Sequence, residues 1–126
     1  MNSRRTYADT VISAMTSAGL GPSSYEYLTG HAQVWFGWTP GQYSVNAQTW
    51  PRGIEVSWNI ADGWHYIDRA QPAVRHPLPF TITAHPMDVA DSIRRLLLGL
   101  VQGLPANEDE WEHANVLLAD SAGARP

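Results

Sequence analysis

Residues 53–68, with the sequence GIEVSWNIADGWHYID, decide the fold. The apolar side chains that alternate along the first half of this stretch are Ile54, Val56, Trp58 and Ile60. A period of two is typical of a β-strand that buries one face. Asp62-Gly63 is a hairpin signal, and residues 64–68 return as the partner strand. The stretch therefore predicts an antiparallel sheet that is covered on one face only.

A further strand is predicted upstream, over residues 32–39, and it ends at a Pro-Gly turn signal. The side chains on one face of this strand are Ala32, Val34, Phe36 and Trp38. Trp35 points to the opposite face, because neighbouring residues alternate in a strand. The flanking segments leave alternatives open. Residues 23–31 are compatible with a short edge strand, and residues 43–49 with either a strand or an irregular loop.

Two longer segments carry helical periodicity. The first covers residues 6–18, with Ser3 as an alternative start, and Gly19 is its predicted stop. The second begins with Pro86 in its first turn, where the missing N–H of proline is harmless. Its apolar stripe continues to Val101, and Gly103 with Pro105 is expected to end it.

The remaining segments are shorter. Residues 71–79 contain three prolines and are predicted to be a loop, whereas Phe80, Ile82 and Ala84 alternate again. Residues 107–110 match a capping box, which predicts a last helix that carries Trp111 and reaches Leu118.

Together these elements predict an α+β fold. It consists of an antiparallel sheet of three to five strands, an N-terminal helix and two C-terminal helices packed on one face. Residues 1–120 are expected to form a single domain, and residues 121–126 a flexible tail. The periodic positions that predict the core are Val11, Ile12, Met15, Val34, Phe36, Ile54, Val56, Trp58, Phe80, Ile82, Val89, Ile93, Leu96, Leu97 and Leu100.

The composition of the chain argues against several classes of function. The chain has 126 residues and a net charge of −4, and its eight basic residues, all arginine, are scattered. Nucleic-acid binding is therefore an unlikely function, because phosphates require a concentrated basic surface. There is no cysteine, which excludes disulfides and thiolate chemistry. No apolar run is long enough to cross a membrane, and the first ten residues are polar, so we expect a cytoplasmic protein without membrane contact.

The residues that could take part in catalysis or metal binding do not form a recognisable catalytic motif. His65 lies near Asp62 and Asp68, but the nearest serine has no nucleophile-elbow pattern around it. Asp109 and His113 would share one helical face, which more often means a solvated ion pair than a metal site. No phosphate-binding glycine loop is present. We therefore expect neither a metal nor a cofactor, and an enzymatic activity is less favoured than a binding function.

The segment from Trp58 to Trp64 has the pattern W-[DN]-x-x-x-G-W. With the preceding Gly-terminated helix, Leu78-Pro79 and a following helix that contains Val89-Ala90, it resembles a family of short uncharacterised proteins of high-GC Gram-positive bacteria. The order of elements extends this resemblance over about two-thirds of the chain. The resemblance implies the same type of fold and carries no functional residue.

Six tryptophans in a chain of this length are the compositional anomaly. Because tryptophan is enriched at protein interfaces, the sequence favours a non-enzymatic interaction module of adaptor or chaperone-like type. It would bind a protein partner, or itself as a homodimer, through an aromatic sheet face or edge. The candidate contact residues are Trp35, Trp50, Trp64 and Tyr43, with Trp35 first. The alternatives are a small-molecule binding protein with an aromatic-lined pocket between sheet and helices, and a nucleic-acid-associated regulator using Arg94 and Arg95.

Overall fold

The computed structural model describes residues 3–28, 33–115 and 117. In chain order the elements are α1 (Ser3–Ser17), β1 (Ser24–Leu28), β2 (Gln33–Trp38), β3 (Ile54–Asn59), β4 (Gly63–Asp68), β5 (His76–Pro77) and α2 (Pro86–Leu97). The five strands form one sheet in the order β1-β2-β3-β4-β5, and every neighbouring pair is antiparallel. The predicted α+β class and antiparallel sheet are confirmed.

Alternation along the strands divides the sheet into two faces. Val34, Phe36 and Trp38 on β2 lie opposite Trp58, Val56 and Ile54 on β3, and all six are buried. Both helices add their apolar stripes to this core. Tyr7 of α1 packs on Trp58 with ring centroids 5.0 Å apart, and five apolar residues of α2 between positions 89 and 97 are fully buried. We call the opposite side of the sheet the outer face.

Three buried tryptophans join the layers through their indole N–H groups. Trp38 donates to the Leu20 carbonyl just beyond α1, at 2.9 Å. Trp50 donates to the Leu96 carbonyl at the end of α2, at 2.8 Å. Trp58 donates to the carbonyl of Ile82 in the segment before α2, at 2.9 Å. These residues therefore supply apolar packing and also satisfy carbonyl groups at helix ends and in loops.

The two long helices end in the same way. Gly19 has a φ of 79° and Gly99 a φ of 93°, in the left-handed region that favours glycine. The next residue after each glycine donates its N–H five residues back, from Leu20 to the Met15 carbonyl and from Leu100 to the Arg95 carbonyl. This is the Schellman motif. The stop predicted at Gly19 is confirmed, whereas α2 ends at Leu97 and its stop signal is Gly99, not Gly103 and Pro105.

Because α2 ends earlier than predicted, the core differs from the predicted one. Leu100, predicted to be buried, is 57% exposed because the chain has already left the helix. Ile12 and Ile82 are partly buried and pack against the core cluster. The other predicted core residues are buried.

Residues 43–49, which are compatible by sequence with a strand or an irregular loop, form turns. Two segments differ from their sequence-based predictions. Residues 80–84 are not a strand. The proline-rich loop, residues 71–79, contributes the two-residue strand β5 at the edge of the sheet, where Pro77 is tolerated because it has a neighbour on one side only.

The last predicted helix is only partly present. Residues 107–110 are not helical, and Glu110 forms an isolated antiparallel bridge with Ala84. Within the described chain after residue 110, helical structure is found at Ala114, Asn115 and Leu117. Ala32, Leu118 and the tail predicted for residues 121–126 lie outside the described residues.

Candidate functional site

The outer face is the surface that the helices leave uncovered. Its central row crosses all five strands, because each residue is the register partner of the next: Glu26, Trp35, Ser57, His65 and Pro77. Glu26 and Pro77 are exposed, Trp35 and His65 are half-buried, and Ser57 is nearly buried between larger neighbours. The row therefore presents an aromatic ring next to its centre, with an acidic residue at one end.

Trp35 differs from the other tryptophans. Trp38, Trp50, Trp58, Trp64 and Trp111 are all buried, with 0–5% of their surface exposed. Trp35 alone keeps an intermediate exposure, because its place in β2 directs it away from the helices. It was predicted to lie on the open side of the sheet, and the described part of the proline-rich loop lies beside β4 as β5 rather than crossing the face.

The basic end of the central row is formed by His65 and Arg75. The Arg75 Nη2 atom lies 3.1 Å from His65 Nδ1. Since arginine only donates, Nδ1 is the acceptor and the ring proton resides on Nε2. Partial burial and then the charge of Arg75 lower the pKa of His65, although Asp62 and a backbone hydrogen bond with Gly63 act to raise it. His65 is therefore neutral at pH 7, and Arg75 carries the positive charge.

An ion pair between Arg69 and Glu55 lies one row away from the central row. Arg69 Nη2 is 3.4 Å from Glu55 Oε1, and both side chains are about one-third exposed or less. Arg69 also lies over Gly37, where an added Cβ would be 2.3 Å from its Nη2 atom. A side chain at position 37 would therefore shift the end of the flexible Arg69 side chain. Besides this pair, the charges near the outer face are Glu26, Arg75 and Asp62, whose carboxylate acts on His65 and accepts a hydrogen bond from Asn59.

On the outer face, Ser57 and His65 do not form a nucleophile–base pair. Ser57 and His65 are direct cross-strand partners. No hydrogen bond joins their side chains among the bonds of the described residues, and Nδ1 of His65 is occupied by Arg75. A hydrolytic Ser–His pair requires that hydrogen bond and a group that orients the base. The arrangement instead resembles a contact surface, with one large ring surrounded by polar side chains.

The four sequence-predicted contact residues are not brought together. Trp35 lies on the outer face. Trp50 packs against Tyr66 at 5.9 Å between ring centroids, and Trp64 packs among Tyr7, Trp58 and Phe80, so neither is accessible to a docking partner.

Trp64 has one unusual feature within the core. Its indole nitrogen has no hydrogen-bond partner among the described residues. It lies close enough to the Tyr7 hydroxyl to lower the pKa of that group, but without the alignment of a hydrogen bond. Burial outweighs this effect and raises the pKa of Tyr7, whose hydroxyl donates to the Ala84 carbonyl.

Tyr43 lies on a different surface and is fully exposed. It lines a cavity of about 250 Å³ together with Leu20, Arg94 and Leu98, between the ends of α1 and α2. Between the sheet and the helices, the rings of Tyr7, Trp58 and Trp64 pack against one another. Further cavities lie at the rims of the helices.

Other predicted chemistry is dispersed. Asp109 precedes the helical residues and accepts a hydrogen bond from the His85 N–H through its carbonyl, so it does not share a helical face with His113. In the part of the chain that the structure describes, no three His, Cys, Asp or Glu side chains are grouped as metal ligands. Arg94 donates to the Ala18 carbonyl at 2.9 Å, and Arg95 lines a depression with Asp88 and Asp91.

Glu26, His65 and Arg75 were not singled out from the sequence as contact residues. Strand alternation placed His65 on the polar face, but the register of β1 and of β5 was needed to align the row. Comparison with models of protein families, with curated proteins and with solved structures found no match. Neither helix of the described chain has the length and apolar character needed to cross a bilayer.

Proposed function

We propose that this protein is a non-enzymatic interaction module that self-associates through the outer face of its sheet. The observation that carries the proposal is the position of Trp35, the one tryptophan of six outside the core, on a face without a covering layer among the described residues. The part of an aromatic ring that stays in water on an open sheet is stabilised when a partner covers it. The cytoplasm is the compartment assumed in this proposal.

A second copy of the chain is the partner that the charges of the face favour. Glu26 lies at one side of Trp35 and Arg75 beyond Ser57 at the other, so the acidic end of one face complements the basic end of another. A two-fold dimer needs one self-complementary patch and no second protein. The Glu55–Arg69 pair is neutral overall, and Asp62 adds a negative charge near His65.

The size of the face indicates a reversible dimer. Strands of five, six, six, six and two residues, about 4.8 Å apart with about 3.3 Å per residue, give a surface of roughly 400 Å². Two such faces bury on the order of 800 Å², which is below the range of stable specific interfaces and typical of weak, transient ones. We therefore expect association that responds to dilution rather than an obligate dimer.

The face is favoured over the free edge of β1. Pairing of two β1 strands around a two-fold axis centred on Glu26 would place the two Glu26 carboxylates opposite each other. Like charges directly opposite in a sheet are destabilising, and charged residues commonly protect edges from such pairing. At the other edge, β5 is two residues long and contains Pro77, which has no N–H to donate.

Trp35→Glu tests the proposal. Burying a carboxylate in the interface should raise the dimer dissociation constant by at least about tenfold. The measurement is the mass from sedimentation equilibrium over about a hundredfold range of protein concentration, with circular dichroism and denaturant unfolding to verify the fold. Trp35→Thr removes the ring without adding charge and serves if the first variant is unstable.

Tyr43→Glu is the matched control, because it introduces the same charge at an exposed aromatic residue on another surface. Its mass distribution should equal that of the wild type. A wild-type chain that stays monomeric at the highest concentration would refute the proposal. So would a dimer that Tyr43→Glu disrupts and the folded Trp35 variants do not.

A further inference from the structure

We infer that the two copies pack face to face around a two-fold axis that runs parallel to the strands above β3, so that Trp35 lies against the partner's His65 and Glu26 near the partner's Arg75. This inference rests on the proposed self-association and specifies which residues meet. It follows from the order of the strands, the register of the central row and the signs of its charges.

Packed sheets commonly keep their strand directions within about 30° of each other. A two-fold axis in the interface plane can then be parallel or perpendicular to the strands. A parallel axis above β3 reverses the order of strands in the partner, so β2 faces the partner's β4, and β1 faces the partner's β5. A perpendicular axis along the central row leaves the order unchanged, so each residue of the row faces its own copy.

The charges separate these two arrangements. With the perpendicular axis, Glu26 would face the partner's Glu26, and Arg75 would face the partner's Arg75. With the parallel axis, Glu26 comes opposite the partner's Pro77 and hence close to the partner's Arg75, which contacts His65 in the neighbouring strand. Opposite charges attract and like charges exclude the wrong register, so the parallel axis is favoured.

The residues near the axis are compatible with close approach. Ser57 lies on β3 in the central row and is small and nearly buried, so it keeps the two backbones free of steric conflict. The two copies of Glu55 also come near the axis, and each is neutralised by Arg69 of its own chain at 3.4 Å. Trp35 meets a neutral imidazole, because the pKa of His65 is lowered, and two such aromatic contacts flank the axis symmetrically.

Charge reversal tests the pairing. Glu26→Arg alone and Arg75→Glu alone each replace two attractive contacts by two repulsive ones, and each should weaken the dimer about tenfold. An equimolar mixture of the two variants restores opposite charges at both contacts and should form heterodimers with wild-type affinity. Asp9→Arg and Arg95→Glu make the same reversals on the exposed helical surfaces, and neither should change the mass distribution.

Single cysteines distinguish the axes, since the natural chain has none. Glu26→Cys chains should not cross-link to one another, because four strand spacings, about 19 Å, separate the two positions across the parallel axis. A mixture of Glu26→Cys and Pro77→Cys chains should cross-link with a short bismaleimide. Efficient cross-linking of Glu26→Cys to itself, or a dimer that neither charge reversal weakens, would overturn the inferred axis while leaving self-association intact. A monomeric wild type would instead refute the proposed function itself.

Discussion

At the scale of single residues, the carboxylate of Glu110 is fixed by several hydrogen bonds. Its carboxylate accepts hydrogen bonds from the Thr81 hydroxyl at 2.7 Å and from the Thr83 hydroxyl at 2.6 Å. Partial burial acts to raise the pKa of Glu110, but the hydrogen bonds from Thr83, Thr81 and Asn107 together lower it below its usual value. The charged form of Glu110 therefore stabilises the contact between the segment around residue 110 and the residues just before α2.

This lowered pKa makes a small part of the stability depend on pH. Because the folded-state pKa lies below the unfolded value of 4.5, the contribution of Glu110 is fully present above that pH and is lost as the pH falls through the folded-state pKa. Glu110→Gln should reduce the free energy of unfolding at pH 7, by less than about 1 kcal/mol since the carboxylate is solvent-accessible. The difference from the wild type should shrink towards about pH 3, as measured by urea unfolding.

Glu112→Gln is the control for this prediction, because Glu112 is 79% exposed and its only described ion pair is with His113 at 3.8 Å. It should have no comparable effect at pH 7. Equal losses for both variants, or a Glu110→Gln effect that is the same at both pH values, would contradict the assigned role of the hydrogen bonds.

At the scale of elements, α2 presents a sharp boundary between core and solvent. Leu97 is fully buried, whereas Leu98, the next residue, is 49% exposed at the end of the helix. Leu97→Ala should lower the free energy of unfolding by about 2–5 kcal/mol, from lost burial and a residual cavity. Leu98→Ala should cost no more than about 0.5 kcal/mol. A loss below about 1 kcal/mol for Leu97→Ala in denaturant unfolding would mean that α2 does not face the core.

The elements that sequence predicted well are those fixed by local pattern. The alternation in β3 and β4, the apolar stripe of α1 and the stop at Gly19 depend on neighbouring residues and on the backbone freedom of glycine.

The end of α2 was wrong although Gly99 is a local signal, whereas the last helix was wrong because of partners distant in sequence. Residues 107–110 match a capping box, yet the Asn107 side chain accepts a hydrogen bond from the N–H of Thr81, 26 positions away, and Glu110 binds two threonines before α2. These bonds compete with helix formation and leave no local signal. The same holds for the candidate site: alternation placed Trp35 on the outer face, but its alignment with Glu26 and His65 depends on the register across three pairs of strands.

At the scale of the whole molecule, the two faces of the sheet have unequal cover. One face carries both helices and five buried tryptophans, and the other carries Trp35 with no helix of the described chain against it. The core needs no partner, since its aromatic rings pack against one another and three indoles donate to carbonyl groups. We propose that self-association covers the outer face.

Fluorescence quenching by acrylamide tests this claim most directly, because Trp35 is the one indole ring outside the core and dominates the quenchable signal. The account predicts that quenching falls as protein concentration rises, in step with the increase in mass, and that Trp35→Phe removes this concentration dependence. Quenching that stays constant while the mass doubles would place the dimer interface elsewhere. A constant monomer mass with Trp35 equally quenchable throughout would contradict self-association altogether.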